Sequence, residues 1–155
     1  MIGTYLFTNE RYSTIKYLKE QLNDELLRAR VTPNSPDLFA IGAKFITNSM
    51  EEDFSSTVVI VDGCSCLYED DLAQAFVQKG ASCYLVWDAT ANLDYVDQAT
   101  AYLVKQLCIK KVSIANAVAN TMEVVGPDPE YGAVLKYYPQ QNSSKALKEL
   151  IFSST

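Results

Sequence analysis

The chain has 155 residues, 48% of them hydrophobic, which is the size and composition of one ordinary domain with a buried core. Thirteen basic against nineteen acidic residues leave a formal charge of -6, and Lys110-Lys111 is only a pair, so neither nucleic acid nor an anionic membrane surface is an expected partner. The first ten residues lack the basic region and long apolar run of a signal peptide, no other apolar run is long enough to span a bilayer, and a soluble, cytoplasmic protein is expected.

In chain order, residues 2–8 read as a short strand. Residues 11–28 place Ile15, Leu18, Leu22 and Leu26 at helical spacing, which predicts a helix. Thr32-Pro33-Asn34-Ser35-Pro36 breaks the chain; a short strand over 38–41, a short helix over 44–50 and a polar loop over 51–56 follow. Residues 57–61 are β-branched and apolar on both faces, as in a strand covered by helices on both sides. A helix over 68–79 carries Leu72, Ala75 and Phe76 on its inner face and ends at Gly80, and 82–87 is a second continuous strand. Together these form a right-handed βαβ unit.

Val96, Ala99, Leu103 and Leu107 stripe a further helix, and Ser113 is placed to cap another striped by Ile114, Ala117, Val118, Thr121, Met122 and Val125. These stripes are core. Gly126-Pro127-Asp128-Pro129 stops the chain, 134–138 reads as a strand, and 145–152 as a closing amphipathic helix. There is no internal repeat. Four cysteines in such a domain read as reduced thiols, with Cys83 and Cys108 on apolar patterns and therefore in the core.

Open parallel sheets place ligands at the carboxyl ends of their strands. Two such ends carry chemistry here: Asp62-Gly63-Cys64-Ser65-Cys66 and Trp87-Asp88-Ala89-Thr90. If their strands are neighbours, a ligand touches both, and Trp87 and Asp88 become substrate-binding candidates. Cys64 is the better nucleophile, because Gly63 permits a sharp turn and a helix N-terminus favours thiolate. Glu69, Asp70 and Asp71 in the first turn work against that, and a small buried cysteine is the plainer reading. A metal clip at Cys64-Ser65-Cys66 lacks a second ligand pair. Glu69, Asp70, Asp71, Asp88, Asp94 and Asp97 are candidates to receive a basic substrate side chain, although Asp94 and Asp97 also fit ordinary first-turn positions. Asn142-Ser143-Ser144 matches a glycosylation pattern without meaning in a cytoplasmic protein. Six glycines, none in phosphate-loop spacing, argue against a nucleotide, and no cofactor is expected.

Several segments in this order resemble a family. They are Leu6-Phe7-Thr8-Asn9-Glu10 with Tyr12-Ser13, residues 45–50, the strand ending at Gly63-Cys64, Gly80 through Trp87-Asp88, Asp97-Gln98-Ala99-Thr100, and Val125-Gly126-Pro127-Asp128-Pro129 running to Tyr137-Tyr138-Pro139. Over residues 5–139 the chain resembles the carboxyl-terminal half of caspase-like proteins found chiefly in archaea, within the superfamily of caspases, gingipains and legumains. The resemblance implies a three-layer α/β sandwich with a mainly parallel sheet and a Cys-His dyad. Cys64 takes the nucleophile's place, with the Gly63 and Cys64 N–H groups at the oxyanion of a peptide substrate.

The resemblance also implies that the histidine and its strands would precede Leu6, and this sequence contains no histidine at all. General acid-base help is worth about 10² to 10⁴-fold. A bare sheet edge is then expected, inviting a homo-oligomer or a partner chain. Two readings follow: a non-catalytic interaction module, favoured for the chain as it stands, or a portion of a cysteine peptidase completed by a histidine from another chain. A third is a receiver-like or flavodoxin-like binding domain with Asp62 or Asp88 at its strand ends and Lys136 as its lysine.

Overall fold

The computed structural model describes residues 4–63 and 70–152. The chain opens with β1 (Leu6–Arg11), a short helix α1 (Leu18–Leu22), β2 (Leu26–Ala29) and β3 (Leu38–Ile41). These strands form an antiparallel sheet in the order β1-β3-β2, with Leu26 opposite Ile41 and Ala29 opposite Leu38. The long helix expected over 11–28 is therefore replaced by the end of β1, one helical turn and β2. Burial explains the difference. In the expected stripe Leu26 alone is buried, in β2, whereas Ile15 and Leu22 are 81% and 84% exposed and no residue of α1 is buried. Backbone with positive φ at Tyr17 and Asp24 brackets α1. Residues 2 and 3 of the first expected strand lie outside the described residues.

After α2 (Ala43–Asn48), the chain forms β4 (Val58–Ile60), α3 (Asp71–Gln78) and β5 (Cys83–Trp87). The expected βαβ unit is present: β4 and β5 are parallel neighbours, with Ile60 opposite Leu85. Next come α4 (Leu93–Val104), continued by a π-helical segment over Lys105–Lys110, then α5 (Ile114–Val124), β6 (Leu135–Tyr138) and α6 (Leu147–Ile151). Ser113 caps α5 as its sequence position predicts, its Oγ accepting the Asn116 N–H at 3.3 Å.

The expectation of one mainly parallel sheet is corrected. The fold is mixed α/β, and among the described residues there are two three-stranded sheets in which β4–β5 is the one parallel pairing. Connections decide this. A single helix returns the chain to the end where it started and makes β5 parallel to β4. Two helices in succession, α4 and α5, carry it along and back, so β6 enters from the opposite end and pairs antiparallel, Trp87 opposite Leu135.

β5 is the hub of the packing. Cys83, Leu85 and Trp87 face α4, α5 and α6 through Val96, Ala99, Leu103, Ile114, Ala117 and Leu150. Tyr84 and Val86 face the other way, against Leu72, Ala75 and Phe76 of α3 and Ile46 of α2, with Leu6 and Ile41 of the first sheet packed alongside. Among the described residues no helix is long and apolar enough to cross a membrane.

Gly80 ends α3 with φ +101°, and the Ala81 N–H donates to the Phe76 carbonyl while the Gly80 N–H donates to Val77, both at 3.0 Å. This is the double-bonded helix stop that favours glycine. A Cβ there would also lie 3.1 Å from the Ser55 backbone nitrogen. Gly80→Ala is therefore expected to cost about 1–2 kcal/mol in urea-denaturation stability, from the left-handed backbone alone.

Candidate functional site at the carboxyl ends of β4 and β5

Parallel pairing brings the two strand ends together. The Val61 N–H donates to the Leu85 carbonyl at 2.9 Å, so the segment from Asp62 leaves the sheet beside the one from Asp88. Gly63 follows as a half-buried bend. Cys64, Ser65, Cys66 and Glu69, the residues of the expected nucleophile, the metal clip and part of the acidic set, lie outside the described residues.

Trp87 and Asp88 are tied into the framework. Trp87 is fully buried, its ring edge-on to Tyr95 with centroids 5.3 Å apart. It is a core side chain, and its ring has no free face for a substrate. The Asp88 carboxylate accepts the Val134 N–H at 2.8 Å, and the Asp88 N–H donates back to the Val134 carbonyl at 3.1 Å. Lys136 Nζ lies 3.7 Å from its other oxygen. The half-exposed Asp88 therefore locks the end of β5 to the start of β6. Lys136 does stand beside it, but on an antiparallel strand, unlike the mostly parallel sheet of a receiver-like or flavodoxin-like domain.

The remaining acids are divided among separate tasks. Both carboxylate oxygens of Asp71 lie 3.3 Å from the Thr4 N–H, holding the chain's start against α3. Asp94 is exposed in the first turn of α4, where Asn92 accepts its N–H, so the ordinary first-turn reading describes it. Asp97 does more. It lies beside Asp62, whose carboxyl is pushed up first by burial, then by the Asp97 charge and by a hydrogen bond with Asp97, against an opposing hydrogen bond from Thr100. By surface area both acids are exposed, so solvent screens the pair and the desolvation is partial. One helical turn of α4 thus presents Asp97 and Thr100 to the end of β4. No local spacing announces this, because β5 and the start of α4 intervene in the sequence.

In the sequence Asp128 stands within a helix stop, and the fold gives it a further task. It is 3% exposed and accepts three backbone N–H groups, from Asn92 at 2.7 Å, Glu130 at 2.8 Å and Tyr131 at 2.6 Å. Burial acts to raise its pKa, but the three donors more than offset it and hold the carboxyl below the usual range. The signal available was an aspartate between two prolines, a residue type and setting suited to bonding backbone just downstream.

The thiols separate as well. Cys83 is buried, as expected, and burial pushes its thiol up to about 12, which leaves it protonated and inert. Cys108 is exposed, contrary to the core reading. It follows buried Leu107 and is turned roughly a quarter of a revolution away from it. Among the described residues no three His, Cys, Asp or Glu side chains form a group that could hold a metal ion.

No protein-family model matches the chain, and neither a curated protein nor a solved structure matches it.

The Asp62–Asp97 pair has a signed consequence. Because the folded pKa of Asp62 is raised, its contribution favours the fold below the unfolded carboxylate range and is lost as pH rises through the raised value. Asp62→Asn is expected to raise the melting temperature at pH 7 and to leave it unchanged at pH 3, checked by thermal melts at both.

Proposed function

We propose that this chain is a non-catalytic, caspase-like interaction module that joins another chain through the open edge of β4. The supporting observation is the pairing of that strand. Val58 and Ile60 pack toward the α4–α5 core and Val59 and Val61 toward α3, so apolar groups cover both faces of β4. Such cover is typical of an interior strand. Among the described residues, however, β4 has β5 on one side and no strand on the other.

Backbone alternation says which groups are free to pair. The Thr57 carbonyl accepts from Ser82 and the Val61 N–H donates to Leu85, so the N–H and C=O of Val58 and Ile60 point away from β5. An added strand would find a short apolar edge that charge, proline or a bulge does not guard. The non-catalytic part of the proposal rests on the sequence. Without any histidine, a nucleophilic role for Cys64 requires a base from elsewhere.

Amide hydrogen exchange combined with sedimentation tests the proposal. Association is expected to slow exchange at Val58 and Ile60 while leaving Val59 and Val61 as they were. Val58→Pro, which removes one outward N–H, is expected to abolish association with the circular dichroism spectrum retained. A folded monomer in which the Val58 and Ile60 amides are already protected overturns it.

A further inference from the structure

A further concave feature lies away from the β4 and β5 ends. It is a cleft of about 520 Å³ over the antiparallel sheet, between α1 and α2. Its volume falls in the range of small-molecule sites.

Aromatic rings and carboxylates share its lining. Tyr17, Phe39 and Phe45 contribute three rings, and Glu10, Glu20 and Glu51 three carboxylates. Tyr17 stands edge-on to Phe39 with centroids 5.4 Å apart, and its hydroxyl donates to Glu10 Oε2 at 2.9 Å. The same bond that orients the ring therefore holds an acid at the cleft. Lys16 pairs with the other Glu10 oxygen at 2.8 Å, which keeps Glu10 ionised.

A fourth acid stands behind the wall. Glu25 is 3% exposed, and its carboxylate accepts from Ser49 Oγ and, at 3.4 Å, from Asn48 Nδ2, two residues that line the cleft. Among the described residues no cation lies within 4.0 Å of it. Four carboxylates thus meet two lysines, Lys16 on Glu10 and Lys19 in the lining, an excess of two negative charges around an apolar floor. A buried carboxylate with only neutral donors is costly, and a cation held across Ser49 and Asn48 offsets that cost.

We infer that this cleft binds a small organic ammonium, an amine carried on an apolar body. The charge excess repels anions. Aromatic faces favour a poorly hydrated cation over a bare metal ion. Ile41 and Phe45, half-buried in the lining, give the body of the ligand an apolar surface to cover, while buried Phe39 backs the Tyr17 ring. This inference is independent of the strand-edge proposal, since it uses the other sheet and different residues.

The test is a nuclear magnetic resonance titration of the whole chain with three probes of one shape: phenethylamine, phenethyl alcohol and phenylacetate. The amine is expected to shift the amides of Tyr17, Phe39, Phe45 and Asn48 saturably. The alcohol is expected to bind about tenfold more weakly and phenylacetate more weakly still. Glu20→Gln, at a half-buried position, and Glu51→Gln, at an exposed one, are each expected to weaken the amine roughly two- to fivefold without changing the alcohol or the circular dichroism spectrum. Equal binding of amine and alcohol, amine affinity unchanged in both variants, shifts confined to other residues, or no saturation each overturns the inference. A lysine-bearing peptide that binds these amides more tightly than the amine does overturns the small-molecule assignment.

Discussion

The rest of the molecule depends on the burial of β5. All five of its residues are at 0% exposure, and alternate side chains serve two separate cores. Each neighbouring element completes one side of this strand: β4 and β6 along its edges, α4 with α5 on one face, α3 with α2 on the other. Complete burial leaves no tolerance for a polar group without a partner. The first residue beyond the strand, Asp88, accordingly bonds the β6 lead-in, and the thiol within the strand is held protonated. A strand end that looks chemically loaded in the sequence is therefore largely committed to holding the sheet together.

The acidic surplus of the chain has a structural side. Asp128 joins the start of α4 to the turn before β6, Asp71 holds the chain's start, and Glu25 joins β2's approach to α2. Asp37, between Arg30 and Arg28, has its carboxyl lowered to about 2 and ties the ends of β2 and β3 together. Asp128 and Asp37, whose folded pKa values are lowered, support the fold above the unfolded carboxylate range and lose that support as pH falls through the folded values. Asp62 acts with the opposite sign. Acids that fasten backbone and an acid pair that repels thus coexist, separated by whether the charge meets N–H donors and guanidinium or another carboxylate.

The two sheets offer different surfaces. The antiparallel sheet presents a concave face with rings and carboxylates, suited to a small cation. The mixed sheet has both faces covered and presents an edge, suited to another strand. Leu6 and Ile41 pack from the first sheet against the core of the second, so the cleft and the edge belong to one packed unit.

Where local pattern and final environment agreed, the elements were legible in the residues. β4 and β5 are apolar on both faces because both faces are covered, and α4 and α5 carry stripes that match the faces they bury. The adjacency of the two strand ends followed from one helix joining two strands, and Gly80 and Ser113 terminate helices for reasons contained in a few residues. Residues 11–28 misled because helical spacing there was not matched by a surface to bury it, and pairing with β3 drew Leu26 into a strand instead. The direction of β6, the approach of Asp97 to Asp62, the donors gathered around Asp128, and the rings and carboxylates of the cleft all join residues distant in the chain. Burial of β4, β5, α4 and α5 and the helix ends at Gly80 and Ser113 could be read from the residues alone, because hydrophobic period and backbone sterics act within a few residues. Which charges face one another, and which strand edge among the described residues has no neighbour, depends instead on packing across the whole chain, because electrostatic partners and strand neighbours are distant in sequence.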